Sequence, residues 1–274
     1  MSLSNLFVWL PLLAIAQTKD APQTKDAPQA KDPVKERLDK SPRHHEWVEV
    51  KNGERKVSCF VVYPEVKTKV SAVLVIHENK GLNDWARAAA DEFAEAGYIA
   101  IAPDLLSGAG PSGGKTDSFA SADAATQAIY KLDQAQVSAD LDAVADYASK
   151  LDACDGKISV AGFCWGGAQS FAYATHRKTL KAAFVFYGSP PKDDELAKIE
   201  CPVYGFYGED DARITATVAA TAESMKKLGK KFEPVTFAGA GHGFMRAGEA
   251  ADASEPNKKA QQDAWVRLKK LLGA

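Results

Sequence analysis

The sequence predicts an α/β fold in which a doubly wound, mostly parallel sheet of about eight strands carries an antiparallel hairpin at its N-terminal edge. Two observations support this prediction. Strand-like and helix-like segments alternate along most of the chain, and most of the strand-like runs are continuously apolar, as in strands covered on both faces. The leading segment instead alternates apolar and polar residues, which is typical of a hairpin with one solvated face.

The first half of the chain supplies the hairpin and the first central strands. The predicted elements are a hairpin of residues 46–50 and 56–63 joined at Asn52-Gly53, a strand at 71–77, a helix at 84–96, a strand at 98–103, a glycine-rich loop at 107–114 and one or two helices within 122–151. Asn83 or Asp84 can cap the helix that Gly97 ends.

The second half continues the alternation. The predicted elements are a strand at 157–162, a helix at 165–175, strands at 182–187 and 202–207, a helix at 217–228, a strand at 232–237 and a helix at 255–272. In parallel sheets of this kind, sites form at the carboxyl ends of the strands, so residues directly after these strands are candidates for function.

The N-terminal 44 residues differ in character from the rest. Residues 1–16 (MSLSNLFVWLPLLAIA) hold an apolar core and end in Ala-Ile-Ala, and this core is shorter than the roughly 20 residues of a membrane span. They predict a signal peptide and a periplasmic or secreted protein; since no Lys or Arg precedes the core, an N-terminal helix or tail of a cytoplasmic protein is the alternative. Residues 17–44, rich in Lys, Asp, Ala and Pro, predict a disordered linker, and residues 45–274 the folded domain.

The composition of the chain limits the kinds of partner that it can be expected to bind. With 274 residues, 46% of them hydrophobic, the chain can bury a full core, and its net charge of -2 gives no electrostatic reason for nucleic acid or an anionic membrane as a partner. We expect a monomer that acts on a small molecule, needs no cofactor and has no stable membrane association once the signal is removed. Cys154 and Cys164 fall at opposite ends of a predicted strand and cannot pair, and no cysteine or histidine cluster has metal-ligand spacing.

Cys164 is the candidate nucleophile. It lies in Gly-Phe-Cys-Trp-Gly-Gly between a predicted strand and a predicted helix, which is a nucleophile elbow with cysteine in place of serine. The turn requires small neighbours, hence Gly162 and Gly166, and the helix N-terminus favours a thiolate. The amide of Trp165 opens the helix and points into the site. A buried structural cysteine is the alternative.

A histidine and an acid follow at the same edge. His242 lies in a glycine-rich loop after the last strand and is the candidate base. Asp211, chosen from the acids that follow residues 202–207, would orient its imidazole. The chain order nucleophile, acid, histidine is that of an α/β-hydrolase. The oxyanion of an acyl-transfer intermediate would be held by the amides of Trp165 and, by its loop position, Asn79.

Together, these motifs and the run HENKGLN at residues 77–83 resemble the dienelactone hydrolase family from about Trp47 to the C-terminus. The resemblance implies that Glu78 is a partner of the resting thiol and helps to generate the thiolate, and that Arg246 grips a substrate carboxylate. The family has a second arginine in the loop after Asp104-Leu105, where this sequence has Leu-Ser-Gly-Ala-Gly instead.

The predicted activity is hydrolysis of an activated carboxylic ester or a lactone through a thioester on the cysteine. Two alternatives remain from sequence. A noncatalytic exported binding protein on a hydrolase scaffold would lack a triad member. A thiol redox protein would need a resolving cysteine near Cys164, for which Cys59 and Cys201 are the candidates.

Overall fold

The computed structural model describes residues 33–273, which form one eight-stranded sheet with helices on both faces. The strands are β1 (His44–Asn52), β2 (Arg55–Tyr63), β3 (Val70–Ile76), β4 (Ile99–Pro103), β5 (Cys154–Phe163), β6 (Ala183–Phe186), β7 (Val203–Gly208) and β8 (Phe232–Phe237). The helices are α1 (Pro33–Asp39), α2 (Asp84–Glu95), α3 (Ala122–Ile129), α4 (Gln134–Ser149), α5 (Trp165–His176), α6 (Asp193–Leu196), α7 (Ala212–Lys227), α8 (Phe244–Ala247) and α9 (Glu255–Leu272).

The strand order is β1-β2-β4-β3-β5-β6-β7-β8. β1 and β2 are an antiparallel hairpin, β2 joins β4 antiparallel, and every later pairing is parallel. The strand order changes direction at β3, which has β4 on one side and β5 on the other. The carboxyl ends of β3 and β5 therefore lie side by side, and the chain leaves these two ends toward opposite sides of the sheet. This confirms the predicted fold class, and it places the start of α5 beside the loop that follows β3.

Each face of the sheet has its own apolar core, because successive side chains of a strand point to opposite faces. In β3, Leu74 and Ile76 pack in the cluster shared with α4, α5 and α7, whereas Val73 and Val75 pack in the cluster shared with α1, α2, α8 and α9. The central strands are therefore fixed from both sides, and the loops at their ends are attached to a rigid base.

The prediction of a linker through residue 44 is wrong for its last part. Residues 33–39 form α1, whose Leu38 is 4% exposed in the core and whose Val34 packs against the same core one turn earlier. Arg37 forms ion pairs with Glu92 and Glu249. The segment PVKERLD carries enough apolar surface on one side to dock. The predicted signal peptide and the rest of the linker lie outside the described residues and stay predictions.

The remaining differences are local. Residues 122–151 hold two helices, β5 begins at Cys154, and α7 begins at Ala212, where Ile214 provides an early buried position. The short helices α6 and α8 were not anticipated. All four cysteines are free, and no helix within residues 33–273 is long and apolar enough to cross a membrane.

Candidate active site

The turn at Cys164 has the geometry of a strained elbow. Its backbone lies at φ 56° and ψ -113°, which a side-chain-bearing residue adopts only when the surroundings impose it. A Cβ on Gly162 would stand 1.9 Å from the carbonyl oxygen of Gly166, and a Cβ on Gly166 would stand 2.4 Å from those of Ile76 and His77. Both glycines are thus required by close backbone approach, as the sequence predicted.

The structure brings Cys164, His242 and Asp211 into one hydrogen-bonded line. Nε2 of His242 is 3.1 Å from the Cys164 sulfur, and Nδ1 is 2.5 Å from Oδ2 of Asp211. Asp211 stands at the N-cap position of α7, where its side chain makes no cap hydrogen bond. The buried carboxylate is instead committed to the imidazole.

The histidine of this line is held in its charged form. Hydrogen bonds with Cys164, the larger influence, and with Asp211 together raise the pKa of His242 to about 9 against the opposing effect of burial. An imidazolium therefore stands beside the sulfur at neutral pH, which favours a thiolate–imidazolium pair.

Glu78 is close to this line but has other partners. Its side chain is 5% exposed; Oε2 accepts a hydrogen bond from Nε of Arg246 at 2.9 Å, and Oε1 accepts one from the Tyr187 hydroxyl at 3.2 Å. The resemblance implied that Glu78 is a partner of the resting thiol. In the structure the hydrogen-bond partner of Cys164 is His242, and Glu78 is occupied by Arg246, because a buried carboxylate needs a cation or donors close by.

Arg246 lies on α8 with its side chain 44% exposed. Only its Nε contacts Glu78, so the outer end of the guanidinium faces solvent at the site. The Arg246 guanidinium is thus partly neutralised by Glu78 and remains accessible from outside.

Two backbone amides near the ends of β3 and β5 are candidates for the oxyanion hole. Trp165 is the first residue of α5, where amides have no intrahelical acceptor. Asn79 follows Glu78 in the loop after β3, and within residues 33–273 its amide takes part in none of the backbone hydrogen bonds of the loops and turns. These are the two amides that the sequence suggested as oxyanion donors, and that role stays a prediction.

Among residues 33–273 no group of three or more His, Cys, Asp or Glu side chains is arranged to hold a metal ion.

Comparison with known proteins identifies the family. The model of the Dienelactone hydrolase family matches residues 57–274, most of the chain. The chain belongs to the dienelactone hydrolase family. It is 31% identical over 208 residues to a "Putative carboxymethylenebutenolidase" of Methylorubrum extorquens, covering 72% of this chain and 69% of that one. A protein of the same name from Escherichia coli is 30% identical over 208 residues, covering 72% and 74%.

Solved structures agree with this assignment. The crystal structure of a "Putative Dienelactone Hydrolase" from Klebsiella pneumoniae superposes with a TM-score of 0.73 at 26% identity, covering 84% of this chain and 98% of that one. A thermostable carboxylesterase from a metagenomic library shares the fold, with a TM-score of 0.60 at 17% identity over 87% of this chain and 94% of that one. The dienelactone hydrolase family member described here is therefore a carboxylic ester hydrolase with an α/β-hydrolase fold.

Two residues of the site were missed by sequence reasoning. Tyr187 contacts Glu78 and packs edge-on against His242. In the sequence it resembles any other aromatic residue of a buried strand, and its unusual φ of 40° is seen only in the structure. His77 directly follows β3 and stacks on Trp165 with ring centroids 5.5 Å apart. Its position in the run HENKGLN was the available signal.

Proposed function

We propose that this protein hydrolyses activated carboxylic esters or lactones through a covalent thioester on Cys164. The observation that carries the proposal is the line from Asp211 through His242 to the sulfur, with the pKa of His242 raised to about 9. Membership in the dienelactone hydrolase family supports the same reaction type.

The proposed reaction begins with attack of the Cys164 thiolate on the ester carbonyl. The carbon–sulfur bond forms as the carbonyl π electrons move to oxygen, and the amides of Trp165 and Asn79 donate to the resulting oxyanion. The tetrahedral intermediate collapses to a thioester as the alcohol or enol oxygen leaves with the Nε2 proton of His242. In a lactone that oxygen stays attached to the acyl group.

Water completes the cycle. His242, now neutral, accepts a proton from a water molecule that attacks the thioester carbonyl. The second tetrahedral intermediate expels the thiolate, and the carboxylic acid product carries the added oxygen. Asp211 holds the imidazole in the tautomer with the proton on Nδ1 throughout. Because a thiolate is itself a good leaving group, oxygen leaving groups must depart easily, which favours enol esters, aryl esters and lactones.

Arg246 is proposed to select substrates that carry a carboxylate. Its exposed guanidinium end can bind the substrate carboxylate while Nε still faces Glu78. If Arg246 moves fully to the substrate, Glu78 remains as a buried carboxylate without its cation. The part that the family resemblance gives to Glu78 in thiolate formation stays a proposal, with Arg246 and Tyr187 as its partners in the resting site.

The thiol redox alternative finds little support in the other cysteines. Burial raises the pKa of Cys59 and raises that of Cys201 to about 11, so neither is an effective resolving thiolate near neutral pH. Cys201 also precedes β7, at the sheet edge opposite to the elbow.

The deciding experiment measures hydrolysis of a panel of aryl esters and lactones, with and without a carboxylate. Cys164→Ala should lower kcat/KM by roughly 10³ or more for every substrate, and a wild-type rate would refute the nucleophile. Arg246→Ala should lower kcat/KM for carboxylated substrates alone. Lys226→Ala, which removes an exposed charge on α7, is the matched control for net charge.

A further inference from the structure

The loop after β3 carries hydrogen bonds that the proposed catalytic line does not use. They converge on Asn79, whose amide is one of the two proposed oxyanion donors. An oxyanion hole requires donors that are fixed before the reaction, since reorienting a loop amide during the reaction consumes the stabilisation it provides. The structure therefore has to hold the peptide groups around Asn79 in place.

The first of these peptide groups is held by His77. Nδ1 of His77 lies 2.7 Å from the carbonyl oxygen of Glu78. That carbonyl and the amide of Asn79 belong to one peptide, which is planar and trans, so they point in opposite directions. A donor on the carbonyl consequently sets the direction in which the Asn79 N–H points.

The partners of His77 also fix its tautomer. A carbonyl only accepts, so Nδ1 carries the proton; the amide of Leu105 donates to Nε2 at 3.3 Å, so Nε2 carries the lone pair. The ring is fully buried, and burial lowers the pKa of His77, which agrees with a neutral imidazole. Its stacking on Trp165 connects the same ring to the residue that supplies the other oxyanion donor.

The second peptide group, after Asn79, is held by α3. Oγ1 of Thr126 is 2.8 Å from the carbonyl oxygen of Asn79 and 2.9 Å from that of Ala122. A hydroxyl has one proton to donate, and the Ala122 carbonyl already faces the Thr126 amide within the helix. The Thr126 hydroxyl therefore donates to the carbonyl oxygen of Asn79. One turn later, the Tyr130 hydroxyl is 3.4 Å from the side-chain amide of Asn79.

We propose that His77 and Thr126 are positioning residues of the oxyanion hole, which together fix the two peptide planes on either side of Asn79. The proposal rests on the proposed function of the site. It assigns to His77 a role as a fixed, neutral hydrogen-bond donor rather than as an acid or base, and to α3 a role in holding the oxyanion loop.

The first test compares Thr126→Val with Thr126→Ser. Valine has nearly the shape of threonine without the hydroxyl, so Thr126→Val should lower kcat for an activated aryl ester by roughly tenfold to a hundredfold with KM changed less than about twofold. Thr126→Ser should restore kcat. A wild-type kcat in Thr126→Val, or a loss that serine does not restore, would overturn the role of Thr126.

The second test compares His77→Asn with His77→Leu. The asparagine amide nitrogen can stand where Nδ1 of His77 donates, whereas leucine has no donor. We expect His77→Asn to retain at least about ten times the kcat of His77→Leu. Equal values in folded variants would overturn the role of His77, and if His77→Leu does not fold, the ratio of His77→Asn to wild type decides, with a loss above a hundredfold counting against the proposal.

Alkylation of Cys164 by iodoacetamide separates this proposal from the proposed function. Alkylation forms no oxyanion, so its rate should be unchanged in Thr126→Val and His77→Asn. A parallel fall in alkylation and hydrolysis would show damage to the elbow and overturn the positioning role. If alkylated wild-type protein still hydrolyses the ester, the thioester mechanism fails, whatever the variants do.

Discussion

Replacing Cys164 by serine should lower the pKa of His242 substantially. The largest cause of the raised pKa is the hydrogen bond with the sulfur, and the change from 6.5 to about 9 is the sum of all influences on the ring. At 1.36 kcal/mol per pH unit, the net rise from 6.5 to about 9 corresponds to roughly 3 kcal/mol, and solvent screening at a side chain that is 35% exposed reduces the expected effect to about half. We therefore expect a fall of at least one unit.

The measurement is NMR titration of the imidazole resonances, with the His242 signal assigned from its absence in His242→Asn. Asp211→Asn serves as the comparison and should lower the pKa by less, because the contribution of Asp211 is smaller than that of Cys164. The direction of the change follows from the charge: a group that favours the imidazolium raises the pKa of His242, so removal of that group lowers this pKa. A pKa in Cys164→Ser that stays within about 0.3 units of wild type would refute the thiolate–imidazolium pair.

Three further predictions follow from the geometry. As pH rises through about 9, His242 loses the proton that the leaving group takes, so kcat should fall for an alkyl ester and not for a p-nitrophenyl ester; parallel pH profiles would contradict this. Gly162→Ala should lower the free energy of unfolding by roughly 1–3 kcal/mol in urea titration, whereas Gly241→Ala, where a Cβ meets no neighbour within 4 Å, should leave it unchanged. Leu38→Ala should cost roughly 2–5 kcal/mol, seen as a lower Tm, and an unchanged Tm would restore the view of α1 as a solvated spacer.

The fold and the elbow were predictable because backbone geometry dictates them locally. Continuous apolar runs are needed in strands covered on both faces, and the close approach at Gly162 and Gly166 leaves no room for a side chain. A short stretch of sequence is therefore enough to predict each strand and the turn at Cys164. His242 and Asp211 were predictable for a related reason, since both follow strands whose carboxyl ends lie at one edge of the sheet.

The partners of the charged groups were not predictable in the same way. The pairing of Glu78 with Arg246 joins residues 168 positions apart, and it depends on how α8 packs rather than on any local pattern. Helix α1 was missed because its few apolar residues follow a repeat of Lys, Asp, Ala and Pro that dominates the local composition. In both cases tertiary packing overrides the local signal.

The same distinction explains why the sequence points more directly to a candidate nucleophile than to its proposed selectivity. The elbow is built from backbone contacts between β3, β5 and the first turn of α5, so few sequences are compatible with it. The proposed selectivity depends on side chains such as Arg246, whose side chain is 44% exposed and pairs with Glu78. Under this proposal a substrate carboxylate competes with Glu78 for the cation. The discrimination between carboxylated and neutral substrates therefore measures the difference between two ion pairs, one buried inside the protein and one formed with the ligand.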